Sequence, residues 1–192
     1  MNCEVSYLHR ADGSCIYTQG KTTVIASVNG PGDLKNLKQC ADSAVIQVVV
    51  KRSIGGNSAV NAQTAFILEN LCTSAVIVSL LPKTLISIVV QELESDGSFL
   101  QAAVNAVCLA LIDSGLPMFD IFAAAAVAIL PQSENIIPSP SSQVERDAEC
   151  LMTAVFLHHQ PGDLFYCWSR ASQCSPPIGK LRVIRWLKNY QR

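Results

Sequence analysis

Apolar and polar residues alternate along "KTTVIASVNG", Lys21 to Gly30, which predicts a strand with one buried face. The breaker Gly30-Pro31-Gly32 is expected to end it. "SCIYTQG", after the turn "ADG", predicts the strand before it. "SAVIQVVVKR" is β-branched and nearly continuous, the pattern of a buried strand. Beyond Gly55-Gly56 the period changes. Val60, Ala62, Ile67, Leu68, Leu71, Ala75 and Val78 fall three and four apart. They predict a helix capped by Asn57 or Ser58 and running to about Ser79, stopped by Pro82. "KTLISIVVQEL" alternates again as a strand. Ser95-Asp96-Gly97 then makes a turn into an apolar helix from Ser98 to about Ser114, with Gly115 and Pro117 as its stop. "IFAAAAVAIL" predicts a strand whose small side chains admit a close neighbour, "IIPSPSSQ" a turn, and "ECLMTAVFL" a further strand. This order gives the α+β class, with helices packed on a mixed sheet.

Composition adds to that picture. Of the 192 residues, 49% are hydrophobic and only 15% are charged, so part of the apolar surface is expected to meet another protein. A net charge of −1 neither announces nor excludes nucleic acid. Six of the fourteen basic residues fall between Arg170 and Arg192, with no acid among them, as a solvated helix face or as a contact. The eight cysteines, irregularly spaced and mostly inside apolar runs, read as buried free thiols of a reducing compartment. The N-terminus lacks a signal-peptide core, and no apolar run approaches the ~20 residues of a membrane span.

Three stretches together resemble one family: "RADGSCIYTQGKTTVIASVNGPGD", "LPKTLISIVVQ" and "SDGSFLQAAVNAVCLALIDSGLPM". Their order and spacing are similar to the RNase PH family, and to its eukaryotic exosome ring branch in particular. The resemblance runs from about Cys3 to Phe156. It implies the RNase PH-like (ribosomal protein S5 domain 2-like) fold over residues 1–157, with a divergent segment from 158 to 192. Active members trim RNA from its 3′ end with inorganic phosphate as nucleophile. That chemistry needs a phosphate dock, cations against crowded anions, and a carboxylate as general acid.

Each part of that site is weakened here. Active members read Gly-Gly-Thr-Arg-Thr where this chain reads Asp96-Gly97-Ser98-Phe99-Leu100. Gly97 and Ser98 keep the turn and one hydroxyl, and Phe99 or Leu100 stands in the arginine's place. No Lys or Arg lies between Lys83 and Arg146, so an anion here is expected to meet amides and a helix dipole but no cation. Ser98 reads as a helix N-cap first and as a remnant phosphate contact second. An Arg-Glu pair of active members corresponds to Thr64 and Ala65. Three catalytic aspartates correspond to Ser139, Ser141 and Glu145, of which only Glu145 keeps a carboxylate, and it reads first as a solvated helix charge and second as a remnant acid.

The resemblance therefore implies a non-catalytic ring subunit with no cofactor and no membrane association. Its expected partners are other RNase PH-like exosome subunits, cap proteins and RNA, in the nucleus, nucleolus and cytoplasm. Lys51, Arg52 and Lys83 are candidate contacts to an RNA backbone. The competing reading is a homodimeric phosphorolytic exoribonuclease or nuclease. From about His158 the pattern departs from the family: the middle is irregular, and Gly179 to Arg192 suits a short basic amphipathic helix. His158, His159, Cys167 and Cys174 match no common zinc spacing, so no metal is expected.

Overall fold

Val24, Ala26 and Val28, the inward residues of the alternating run, are buried at the centre of a five-stranded sheet. The computed structural model describes residues 1–33, 43–52, 58–130, 136–157 and, mainly as backbone, 164–171. Asn57 as a cap, Cys40, Cys174, the histidine pair and the basic tail lie outside the described residues.

The first sheet contains β1 (Asn2–Val5), β2 (Gly13–Gln19), β3 (Thr22–Asp33), β4 (Val45–Lys51) and β5 (Thr84–Glu94), in the order β1-β2-β3-β5-β4. Neighbours are antiparallel except β4 and β5, which pair in parallel from Val45 opposite Leu85 to Lys51 opposite Gln91. A parallel pair needs a crossover, and α1 (Ser58–Ala75) supplies it. The second sheet contains β6 (Phe122–Ile129), β7 (Ile136–Pro138), β8 (Cys150–Leu157) and β9 (Leu164–Ala171), in the order β7-β6-β8-β9. The α+β class and the mixed sheet with packed helices are as the sequence predicts.

Between the sheets runs α2 (Phe99–Asp113), which touches β2 and β3 on one side and β6 on the other. It is buried on nearly every face, as befits a helix apolar all round. Two of its amides, one turn apart, face the open edge of β6 beyond the three residues of β7. Gln101 Oε1 accepts the Ala126 N–H at 3.1 Å, and Asn105 Oδ1 accepts the Ala124 N–H at 2.7 Å. Asn105 Nδ2 also donates to the Ala124 carbonyl at 3.3 Å and to Tyr17 OH at 3.2 Å. These side chains stand in for a missing strand.

The structure differs from the expectations at several points. β3 continues through the breaker to Asp33, because a register shift between Asn29 and Gly32 absorbs it. Gly30, at φ +132°, lets β5 approach so closely that an added Cβ would lie 2.6 Å from the Leu85 carbonyl. The first helix stops at Ala75, not near Ser79. The loop after α2 takes over its end: Phe119 N–H donates to Ala75 O, and Ile77 N–H to Pro117 O. Within the expected turn, Ile136–Pro138 is a strand and Ser142–Asp147 is a short helix, α3. β1 is exposed throughout and held by backbone pairing to β2, so its side chains carry no alternation. The second sheet also passes residue 157, since β9 pairs with β8 in the stretch read as irregular.

Asp113, at the end of α2, anchors the β1–β2 loop. It accepts from Ser6 Oγ (2.7 Å), Ser6 N–H (3.1 Å) and Ser14 N–H (2.9 Å). The Ser14 amide, with the Ser6 donors, holds its carboxyl below the ordinary carboxylate range. Cys15, Cys72, Cys108 and Cys150 are buried and outside any disulfide, as expected, whereas Cys3 is exposed on β1. Burial pushes the Cys15 thiol up to about 11 and raises Cys72 and Cys108 as well. No helix among the described residues is long and apolar enough to cross a membrane.

Candidate functional site

The turn before α2 is built on backbone contacts to the segment that leads into α3. Ser142 N–H donates to Asp96 O at 2.6 Å, and Ser98 Oγ donates to Pro140 O at 2.9 Å. From the other side, Thr22 Oγ1 donates to Gly97 O at 2.7 Å and accepts Asp96 N–H at 3.0 Å. Gly97 has φ +101°, and an added Cβ would lie 2.6 Å from Pro140 O and 2.7 Å from Ser142 N. Glycine is therefore required twice, by conformation and by space.

Ser98 does not act as the side-chain cap that its position suggests. It is left-handed, at φ 53°, and its hydroxyl is spent on Pro140 O. The Ser98 N–H instead donates to Glu145 Oε1 at 2.5 Å. A carboxylate from α3 thus sits at the positive end of α2. Glu145, read as a solvated charge or a leftover acid, is a half-buried structural partner of the turn.

Beside this contact lies a pocket of about 110 Å³, lined among others by Arg52, Thr64, Ser98, Phe99, Glu145 and Thr153. It gathers Ser98 and Glu145 with Thr64, the position that the resemblance matches to an arginine of active members. Thr64 is buried and its hydroxyl donates back to Val60 O, so it offers no charge. Ser139, matched to the first aspartate, is also committed. It accepts from Gln19 Nε2 at 2.6 Å and donates weakly to Gln101 Oε1 at 3.4 Å.

Arg52 overturns the expectation that no cation reaches the turn. It extends from the end of β4 into the pocket, with its guanidinium 4.5 Å from the centre of the Phe99 ring. Two nitrogens meet the two Glu92 oxygens at 3.3 Å each, and Glu92 is only 3% exposed. The signal was present but needed topology: parallel pairing of Lys51 with Gln91 puts the next residues, Arg52 and Glu92, side by side. Thr22 carried no sequence signal. Lys51 is exposed at the same sheet end as Arg52. Lys83 precedes β5 at the opposite end, roughly 25 Å away at strand rise, so the three basic candidates do not form one patch. Among the described residues no group of three or more metal-ligating side chains occurs.

The sequence model described as "3′ exoribonuclease family, domain 1", RNase PH, matches residues 1–117. This chain belongs to the RNase PH family. It is similar to the "Exosome complex component RRP46 homolog" of Caenorhabditis elegans, 34% identical over 145 residues, covering 76% of this chain and 66% of the relative. It is also similar to the "Exosome complex exonuclease RRP46 homolog" of Arabidopsis thaliana, 31% identical over 154 residues, covering 80% and 64%. The matches span just under two thirds of these relatives' length. In fold, the chain resembles the crystal structure of rice Rrp46, with a TM-score of 0.84 at 24% identity over 100% of this chain and 92% of that one. It also resembles a chain of the Archaeoglobus fulgidus exosome with RNA bound to the active site, with a TM-score of 0.82 at 17% identity over 100% and 85%. The RNase PH fold expected from the three stretches is thus the fold of this chain.

Proposed function

We propose that this chain is a non-catalytic RNase PH-like subunit of an RNA exosome ring. It shapes the ring and contacts RNA during 3′-to-5′ processing and decay, ribosomal RNA included. The observation that carries this reading is the state of the pocket. Thr64, Phe99, Leu100, Ser139 and Ser141 occupy the positions matched to arginines and aspartates, and the arginine that does line the pocket is paired with a buried glutamate. Removing a single oxyanion donor typically costs about 100- to 1000-fold in rate, and here several groups are missing together. The names of the similar proteins, exosome components, support the assembly.

Its partners on this reading are neighbouring RNase PH-like subunits, cap proteins and RNA, in the nucleus, nucleolus and cytoplasm. Exposed Phe66, Leu80, Phe119 and Ile121 supply apolar surface suited to such neighbours. Lys51 and Arg52 are the candidates for backbone phosphates, in contacts that weaken as salt rises. Lys83, at the far sheet end, would touch a different part of the path.

Affinity purification of the chain should recover the other ring subunits. Purified chain should release no nucleoside diphosphates from a labelled oligoribonucleotide when phosphate is added. Phosphate-dependent release would replace the scaffold with the homodimeric enzyme.

A further inference from the structure

We propose that residues 172–192 cover the outer face of the second sheet, apolar side inward, and so close that face to other proteins from within the chain. The inference goes beyond the scaffold reading and stands without it.

Side chains alternate between the two faces along β6 and β8. Phe122, Ala124, Val155 and Leu157 point inward and pack in the main core with α2. Val127, Met152 and Ala154 belong to the opposite set. Val127 lies opposite Met152, and Ala125 opposite Ala154. These residues form a cluster of their own, bordered by Ile129 and Phe156. Among the described elements, the helix packed on β6 is α2, and it occupies the inner face. Yet Val127 and Met152 are 1% exposed and Ala154 is 0% exposed. A sheet face turned to water leaves its side chains in contact with that water. A single chain buries these three, so the cover is part of the same chain.

The sequence selects which part. Residues 34–42 and 53–57 join elements of the first sheet and α1, on the far side of α2. Residues 158–163, His-His-Gln-Pro-Gly-Asp, join β8 to β9 at the end away from Met152. Residues 131–135, Pro-Gln-Ser-Glu-Asn, join β6 to β7 near the cluster but bring polar side chains and one proline. Residues 172–192 have both the place and the side chains. β9 ends at Ala171 opposite Cys150, two residues from Met152. At helical spacing Val183, Trp186, Leu187 and Tyr190 share one side, and Arg182, Arg185, Lys188 and Arg192 share the other. An uncharged apolar cluster accepts the first side and rejects the second.

The cover decides which surfaces are left for neighbours. The outer face of the second sheet is taken, and the basic side of the segment is turned to water. Apolar surface for another subunit then lies elsewhere, at exposed Leu80, Phe119 and Ile121.

Cys150 is a native probe of the cover, since it is buried and alternation puts it on the face of Met152. The full chain is treated with a maleimide, and the labelled peptides are followed by mass spectrometry over time. Cys150 should label slowly in the wild type. Val183→Asp with Leu187→Asp should speed its labelling at least about tenfold, while Cys15, Cys72 and Cys108 stay protected and report an intact main core. Arg182→Ser with Arg185→Ser should leave the rate as in the wild type. An unchanged rate in the aspartate pair overturns the proposal, as do an equal effect of the serine pair and wild-type labelling of Cys150 as fast as that of Cys3. Should the aspartate pair unfold, p-benzoylphenylalanine placed at Phe156 in the otherwise unchanged chain decides. Irradiation should join it to a peptide within residues 172–192 of the same molecule. No cross-link to that segment, or a cross-link to a second copy, overturns the proposal. Phosphorolysis by the wild type would remove the scaffold reading and leave this inference standing.

Discussion

Replacing Asn105 by alanine removes a side chain that bridges three elements at once. Its carboxamide serves both backbone groups of Ala124 and the Tyr17 hydroxyl, tying α2 to β6 and β2. Ala124 is 6% exposed, so water cannot readily replace the lost partner. Each buried backbone group left unsatisfied costs about 1–3 kcal/mol, and the two together set the expected loss at about 2–6 kcal/mol. Against a typical total of about 5–15 kcal/mol, that is a large fraction. Urea unfolding measures it: the midpoint should fall while the slope m stays constant. Asn105→Leu separates two causes. If the unpaired Ala124 groups dominate, leucine should be as costly as alanine, although it fills the space. If packing dominates, leucine should recover most of the loss. Both variants within about 0.5 kcal/mol of the wild type would refute the idea that α2 completes the edge of β6.

Gly97→Ala places a Cβ at φ +101° against Pro140 and Ser142, and should destabilise the chain by more than ~2 kcal/mol in the same urea assay. Asp113 has a folded-state pKa below its ordinary value. Its stabilisation is therefore present above the unfolded value of 3.8 and is lost as pH falls through the folded value. Asp113→Asn should flatten the acid limb of stability against pH; an unchanged limb would remove Asp113 from that role. Among the described cysteines, Cys3 should react first with a maleimide, followed by mass spectrometry of the labelled peptides. Cys15, pushed up to about 11, Cys72 and Cys108 should label only on unfolding, since a thiol at 11 is roughly one part in a thousand thiolate at pH 8.

What the sequence revealed depended on whether a side chain declared itself locally. β3, β5 and α1 follow from alternation and helical spacing, because one face of each is buried against the same core, and α2 follows from its turn and an apolar run that is buried on nearly every side. β1 could not be read in this way: all four of its side chains are exposed, and only backbone pairing makes it a strand. The end of α1 was misplaced because its stop comes from residues 117 and 119, some forty positions along the chain. At the site, the expectation of arginines replaced by Thr64 and by Phe99 or Leu100 came from a motif, whereas Arg52 needed the parallel register of β4 and β5 before its place could be known. Ser98 shows the converse. Its type suits an N-cap, yet tertiary contact with Pro140 overrides that local preference.

The same contacts hold the shape of the turn without help from the side chains at most of the positions matched to charged residues of the family. The frame of the turn consists of Gly97, two hydroxyls and backbone amides and carbonyls of residues 96, 97, 140 and 142. None of these bonds involves the side chain of residue 64, 99, 100 or 141, so those side chains can change without loosening the frame. Phe99 now serves packing instead. It is 6% exposed, sits in the core and supports the Arg52 guanidinium from below. Arginine at that position would bring a second cation beside Arg52 and remove a buried ring. Introducing charge there should therefore cost stability. Packing thus favours an apolar residue at position 99, where a charged side chain would be buried.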